Sequence, residues 1–198
     1  MLSSLPPKVR AFIAVRVGDE VEAALAAFID EKREPQDGIV WARRGKLHVT
    51  LKFLGAAVDS QLLSPLAAAL ARLASTTPPL LVSTRGIGAF PDQRRPRVLW
   101  VGLESEVLPN LAARVEEIAV SSGFERSPHR WVPHLTIGRV RDPRKTRRIQ
   151  GLLNDTRDCN FGESLVREVT LYRSLLSSDG SIHQRLASFP LLPEARDG

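Results

Sequence analysis

The chain has 198 residues, of which 43% are hydrophobic and 25% are charged. These proportions are ordinary for a globular protein with its own core, and no apolar run is long enough to span a membrane. The opening stretch, MLSSLPPKVRAFIAV, lacks the order of regions that marks a secretory signal, which predicts a cytoplasmic protein. A single cysteine, Cys159, excludes an internal disulfide and a zinc cluster built from cysteines.

The net charge is +6, and 23 of the 28 basic residues are arginine. Guanidinium groups suit bidentate contacts to phosphate, which favours a polyanionic partner, although biased codon usage explains the same composition equally well. The sequence shows no coiled-coil pattern and no obvious exposed strand edge. It therefore predicts a monomer without an obligate protein partner.

The first half of the chain predicts alternating strands and helices. KVRAFIAVRV (8–17) is β-branched and aromatic enough for a strand, and the helix over GDEVEAALAAFIDEKRE has acidic residues in its first turn and basic residues in its last. KLHVTLKFLG (46–55) alternates in polarity as a strand does. DSQLLSPLAAALARLAS predicts a helix capped by Asp59 or Ser60, and PPLLVSTRGIGAF predicts a strand leading to a glycine-containing turn.

The second half predicts a similar series. A strand over RPRVLWVGL (95–103) precedes a helix over ESEVLPNLAARVEEIAVSSG, which Gly123 ends. WVPHLTIGRV (131–140) predicts a strand, and DPRKTRRIQGLLND predicts a short basic helix. The stretch ESLVREVTLYRSLLSSDGSIHQRLASFPL predicts two strands joined by a hairpin turn at Asp179-Gly180.

The two halves share one order of elements. Each contains a strand, a helix, a loop with a tryptophan (Trp41 or Trp131) and a strand with the pattern His-x-Thr, and the two motif histidines, His48 and His134, lie 86 residues apart. This order predicts an internal duplication of about 90 residues. We therefore predict an α+β fold in which residues 1–198 form one bilobal domain. Two similar strand-helix-strand lobes would be related by a pseudo-two-fold, with antiparallel sheets lining a central cleft and helices outside.

The paired motifs carry the candidate chemistry. Residues i and i+2 of a strand point to one face, so His48 shares a face with Thr50, and His134 shares one with Thr136. A single His-x-Thr is more often a surface histidine, but two copies at equivalent positions favour a shared site. Two imidazoles supply a general acid and a general base near neutral pH, and threonine hydroxyls are donors for phosphate oxygens. Two histidines without a carboxylate make a poor catalytic metal site, so we predict phosphodiester chemistry without a metal or another cofactor.

The pair HVTLKFLG and PHLTIGRV resembles the two HxTx signatures of the two-histidine (2H) phosphoesterase superfamily. More specifically, it resembles the RNA 2′,3′-cyclic phosphodiesterase family, also called 2′-5′ RNA ligase-like. The segments RAFIAV, FPDQRRPRVLWVGL and SLLSSDGSIHQRL sit where that family has similar segments. The resemblance implies a bilobal hydrolase of RNA processing that opens a terminal 2′,3′-cyclic phosphate to a 2′-phosphate, with tRNA fragments as one candidate source of such ends.

The resemblance also implies a role for each motif residue. His48 would protonate the departing 3′ oxygen, and His134 would activate water. Thr50 and Thr136 would hold the phosphate oxygens. The same chemistry run backwards would make the protein a 2′-5′ RNA ligase acting on tRNA halves. A relative that acts on small cyclic nucleotides and a non-catalytic module that binds RNA ends also remain open as hypotheses.

Arg139 and Phe53 complete the predicted site, and the role of His183 stays open. Arg139 matches an arginine that neutralises phosphate in the family, and because its parity differs from that of the motif, the strand must bend or end at Gly138. Phe53 matches a position that stacks on the terminal base. His183 stands where the family commonly has tyrosine, and both a substrate contact and a solvent-facing position fit it. The basic stretches RVRDPRKTRR and QRRPR flank the predicted cleft, where they fit either RNA phosphates or a solvated surface.

Overall fold

A computed structural model describes residues 5–177 and 180–192 of the chain. These residues form four helices and nine strands. The helices are α1 (Asp19–Lys32), α2 (Leu63–Ala74), α3 (Leu108–Ser121) and α4 (Thr146–Asp155). The strands are β1 (Lys8–Val15), β2 (Ile39–Trp41), β3 (Val49–Asp59), β4 (Leu80–Phe90), β5 (Val98–Glu104), β6 (His134–Val140), β7 (Asn160–Val166), β8 (Glu168–Ser177) and β9 (Gly180–Pro190).

The strands form two antiparallel sheets. The first sheet has the order β3-β1-β8-β9, and the second has the order β2-β6-β5-β4-β7. The first sheet carries the segment with His48, and the second carries the segment with His134. The predicted α+β architecture with two antiparallel sheets is therefore confirmed.

Equivalent strands of the two sheets pair in the same register. β1 pairs with β3 as β5 pairs with β6, and each pair of opposed residues from Phe12 to Val15 in the first sheet recurs 86 positions later in the second. Thr50 opposes Ala14 and Thr136 opposes Trp100. Each ladder also contains an irregularity at the residue after the motif threonine, so both sheets bend at the same place.

The helices that follow β1 and β5 each pack against the opposite sheet. α1 lies against β7 of the second sheet, and the backbone N–H of Gly18 at its start donates to Ser164 Oγ at 2.5 Å. α3 lies against β3 of the first sheet, beside α2, which also packs on β8 and β9. The two sheets are thus joined by shared helices as well as by the connecting chain. None of the helices in the described ranges is long and apolar enough to cross a membrane.

Most predicted elements form, with shifted ends. α1 stops at Lys32 because Arg33 is already extended, and α3 ends before Gly123, whose φ of +92° favours glycine. Asp59 caps a single 3-10 turn before α2, its side chain accepting from the N–H of Gln61 at 3.0 Å. The predicted hairpin turn includes Asp179, which lies outside the described residues, but β8 and β9 on either side pair antiparallel.

Two predictions about strands were wrong. The glycines after Arg85 do not end β4, which continues to Phe90, because Gly86 adopts a φ of +64° at a bulge. The chain from 163 to 177 is not one strand but two, β7 and β8, which break at Arg167 and belong to different sheets. The continuation of β4 and the break at Arg167 both depend on pairing with distant strands, which local polarity does not report.

Candidate active site

The two motifs lie at matching places, one on each sheet. His48 directly precedes β3 and His134 is the first residue of β6, and both side chains are half-buried. In each motif, the residue between the histidine and the threonine and the residue after the threonine are buried, as alternation predicts. These residues are Val49, Leu51, Leu135 and Ile137. Each apolar residue thus anchors its motif in the core, while the imidazole and the hydroxyl stay on the other face.

Both imidazoles make the same hydrogen bond. Nδ1 of His48 lies 2.8 Å from the carbonyl oxygen of Lys46, and Nδ1 of His134 lies 2.8 Å from that of Val132. A carbonyl oxygen only accepts, so each Nδ1 carries the proton. Nε2 is then the atom that gains or loses a proton on each ring. The two acceptors are themselves 86 positions apart, as the histidines are.

Aromatic rings surround His48. Its ring centroid lies 5.1 Å from that of Phe12 and 6.5 Å from that of Tyr172. His183, on β9, approaches it edge-on at 4.9 Å. His183 is thus half-buried against the first motif, a contact between distant strands that the sequence does not signal.

His134 has an aromatic wall of its own. The ring of Phe90 lies edge-on to it at 4.9 Å, and Trp100 lies 5.3 Å from Phe90. Trp100 opposes Thr136 in the ladder, so both side chains share one face of the sheet. The indole fits because its neighbour in β4 is Gly88, where a Cβ atom would stand 2.2 Å from the ring.

The protonation of the first motif responds to this environment. Burial lowers the pKa of His48 below its usual 6.5, and the positive charges of His134, Arg139 and Arg16 lower it further. Burial, followed by the charges of His48, Lys46 and Arg10, lowers the pKa of His183 to about 4. His183 is consequently a neutral imidazole near pH 7, able to donate one hydrogen bond and to accept one.

The matching bulges decide the faces of Arg139 and Phe53. In β6, Gly138 opposes Leu99 while Thr136 opposes Trp100, so Ile137 is the extra residue. The bulge turns the strand, and Arg139 is exposed whereas Gly138 and Val140 are buried. The bend expected at Gly138 is thus present as a β-bulge, and it returns Arg139 to the face of Thr136.

Phe53 occupies the equivalent position of the first sheet, 86 residues before Arg139. It opposes Phe12, the ring beside His48, and is 44% exposed. The guanidinium carbon of Arg10 lies 4.5 Å above its ring, a cation–π contact. One face of the Phe53 ring is therefore already covered by Arg10.

The two motifs are joined by two hydrogen bonds to backbone carbonyl oxygens. Trp131, three residues before His134, donates from Nε1 to the carbonyl oxygen of Thr50 at 2.9 Å. Ala42, on the connection that leads to His48, donates its N–H to the carbonyl oxygen of Ile137 at 2.8 Å. Each motif is thus held by the segment that leads into the other, which brings all four motif residues into one region.

The donor set of this region fits a phosphodiester. Neither threonine hydroxyl makes a hydrogen bond to another described residue, so both are available to a ligand. Over the residues that the structure covers, no three or more His, Cys, Asp or Glu side chains are arranged to hold a metal ion. Two imidazoles, two hydroxyls and Arg139 can neutralise and protonate a phosphate.

Two side chains of the basic stretch 139–148 are already paired. Arg144 binds Asp142 at 2.9 Å, and Arg148 binds Glu34 at 2.8 Å. Arg94 and Arg95 donate backbone N–H groups to Asp92, which shapes their turn. The six basic residues of 139–148 are therefore not one continuous phosphate-binding surface.

Sequence reasoning missed the polar groups beneath the site. Lys52 is 3% exposed although it lies on the motif strand, and it binds Glu116 of α3. Glu22 of α1 is equally buried and binds Arg16. Strict alternation places Lys52 on the face of His48, and only the bulge at Leu51 turns it inward.

Several known proteins are similar to this chain in sequence and in fold. A family model described as the 2′-5′ RNA ligase superfamily matches residues 21–176. The RNA 2′,3′-cyclic phosphodiesterase of Archaeoglobus fulgidus is 34% identical over 182 residues, which cover 91% of this chain and 99% of that protein. The enzyme of the same name from Methanothermobacter thermautotrophicus is 31% identical over 185 residues, covering 93% and 100%.

Solved structures also match this chain over nearly its whole length. The protein TT0787 of Thermus thermophilus has a TM-score of 0.77 and 31% identity, and the match covers 94% of this chain and 100% of that one. E. coli LigT, solved with 3′-AMP, has a TM-score of 0.74 at 22% identity, with 93% and 98% covered. The second likeness shows the fold alone.

Proposed function

The chain belongs to the 2′-5′ RNA ligase superfamily, and from this premise we propose that it is an RNA 2′,3′-cyclic phosphodiesterase. Several relatives with that name match nearly the whole chain at about 30% identity or more. The observation that carries the proposal is the matched pair of motifs. Each presents an imidazole with the same fixed tautomer beside a free hydroxyl, and the two are joined through Trp131 and Thr50.

The reaction divides between the two imidazoles. Nε2 of His134 takes a proton from water, and the water oxygen attacks phosphorus opposite the 3′ oxygen. The P–O3′ bond breaks while Nε2–H of His48 protonates the departing 3′ oxygen, which leaves a 2′-phosphate. One proton enters at His134 and one leaves from His48, so the reaction consumes one water and changes no oxidation state.

The remaining site residues hold the phosphate and the terminal nucleoside. Thr50 and Thr136 donate to the two nonbridging oxygens, and Arg139 neutralises their charge. Phe53 stacks on the terminal base with the face that Arg10 leaves open. Burial lowers the pKa of His48 in the free site, and a bound phosphodiester anion would act against this shift by favouring the protonated imidazole that the acid role requires.

The same site could run in reverse as a 2′-5′ RNA ligase acting on tRNA halves, since the superfamily carries that name. Microscopic reversibility gives both directions the same acid and base. A non-catalytic module for RNA ends is less well supported, because both histidines are present with matching tautomers.

The proposal also covers the domain organisation, location and oligomeric state of the enzyme. We take residues 1–198 as one two-lobed domain, since each motif is held by a segment from the other half. The protein would act as a cytoplasmic monomer on RNA ends such as tRNA fragments, without a metal, another cofactor or a protein partner. Its arginine content supports the polyanionic substrate.

The test uses a short RNA ending in a 2′,3′-cyclic phosphate, incubated with pure protein in excess EDTA. Products are resolved as 2′- or 3′-phosphate for the wild type, His48→Ala and His134→Ala. His129→Ala is the matched control, because this exposed histidine belongs to neither motif. We expect 2′-phosphate from the wild type and the control only. Turnover that survives loss of either motif histidine overturns the acid–base assignment, and RNA bound without turnover supports a binding module.

A further inference from the structure

Lys52 makes a buried polar contact directly beneath the first motif. Its side chain is 1% exposed. Nζ lies 2.8 Å from Glu116 Oε1, 2.7 Å from the carbonyl oxygen of Glu125 and 2.9 Å from Ser127 Oγ. An ammonium has three N–H donors, and each of the three has a partner here. A buried cation is tolerated only with such complete pairing.

Glu116 extends this contact to the backbone. Oε1 accepts from the N–H of Ser127 at 2.7 Å, and Oε2 accepts from its hydroxyl at 2.8 Å. Although burial acts to raise the pKa of Glu116, the hydrogen bonds from Lys52 and Ser127 lower it overall, so the carboxylate is charged. The Lys52–Glu116 ion pair therefore fixes the chain at Ser127 through hydrogen bonds.

Residues 125–133 form the segment that leads from α3 to His134, which we call the approach segment. It is fixed to β3 at two points. Lys52 and Glu116 hold its beginning, and the Trp131 indole binds the carbonyl oxygen of Thr50 near its end. The position of His134 is thus set from the same strand that follows His48.

A similar carboxylate–cation pair lies before His48. Glu22 of α1, whose side chain is 4% exposed, binds Arg16 at 2.5 Å and accepts the N–H of Gly45, three residues before His48. In both places a helix carboxylate, paired with a cation, holds a backbone amide on the way to a motif histidine. Glu22 and Glu116 are not equivalent positions of the repeat, so the duplication alone does not explain the likeness.

We propose that Lys52 and Glu116 are positioning residues for His134, which act by clamping the approach segment; this rests on the proposed function of the site. Replacing a buried ion pair by apolar groups is often neutral for stability, so stability alone is a poor reason for this pair. Its effect is geometric. A displacement of about 1 Å at a reacting group costs about 100-fold in rate.

The test replaces both charges at once, with Lys52→Met and Glu116→Leu in one protein. The matched control is the adjacent exposed pair, Arg126→Met with Glu117→Leu, which also joins α3 to the approach segment, at 2.7 Å. We expect kcat of the first double variant to fall about 10- to 100-fold with KM within about 3-fold, and the control to keep wild-type values. Urea midpoints of both should stay near the wild type.

A second readout does not require turnover. The nitrogen NMR signals of His134 should show one Nδ1–H tautomer in the wild type and the control, and a mixture in the first double variant. Wild-type kcat and an unchanged tautomer in that variant overturn the positioning role. No turnover by the wild type overturns the proposed function instead, while the tautomer still tests the clamp. Should the double variant not fold, Glu116→Gln keeps the shape of the side chain and is judged by the same two readouts.

Discussion

Gly88 offers a sharp test of the wall beside the second motif. A methyl group at this position would lie 2.2, 2.3 and 2.7 Å from three carbon atoms of the Trp100 indole. Carbon atoms pack at about 3.5–4.0 Å, so Gly88→Ala forces the indole to move. Overpacking of this kind costs about 1–3 kcal/mol. With a urea slope of about 2 kcal/mol per M, the unfolding midpoint should fall by about 1 M.

Gly151 is the matched control for this substitution. It lies inside α4, and a Cβ added there meets nothing within 4 Å. Gly151→Ala should therefore stabilise the protein by about 0.5–1 kcal/mol, because alanine favours the helix. Urea unfolding followed by tryptophan fluorescence and circular dichroism measures both variants. Equal midpoints for Gly88→Ala and the wild type, or equal losses in both variants, would show that the indole does not lie over Gly88.

Three further predictions concern protonation and the approach segment. Because the pKa of His183 is lowered to about 4, the unfolded chain binds a proton that the folded state resists, and stability is lost as pH falls from 6.5 towards 4. His183→Gln should lose less stability than the wild type over that range in urea titrations; equal losses refute this cause. The pKa of His48 is also lowered, mainly by burial, so an acid at this position predicts that kcat/KM falls as pH rises through a value below 6.5. A limb that rises there makes His48 the base. Trp131→Phe removes the 2.9 Å bond to Thr50, which should cost about 1 kcal/mol of stability and lower kcat more than it changes KM; an unchanged kcat argues against this anchor.

The motif faces were predictable because they depend only on local alternation. His48 and Thr50 lie across from buried Val49 and Leu51, as a period of two requires. The duplication was predictable from the order of elements, and the ladders beside the two motifs match pair by pair. A bend near Gly138 was also predictable, since only a bend reconciles Arg139 with its motif.

The groups around and beneath the motifs were not predictable, because distant parts of the chain supply them. His183 meets His48 only because β8 lies between β1 and β9. Lys52 turns inward at the bulge at Leu51, and no residue near this bulge signals in the sequence that the strand has an extra residue there. Local patterns report which face a residue takes until the first irregularity, and strand pairing decides the rest.

The order of strands in the first sheet has a consequence for synthesis of the chain. β1 lies between β3 and β8, and Ala11 pairs with Arg173, 162 positions later. All five strands of the second sheet leave the ribosome before β8 does. At about 5–20 residues per second, β1 waits about 8–30 s with one edge open. Residues 11–14, all buried in the finished protein, lack their pairing partners in β8 during this interval. Tyr172 and His183 arrive last, so the surroundings of His48 are completed only after the sheet that carries His134.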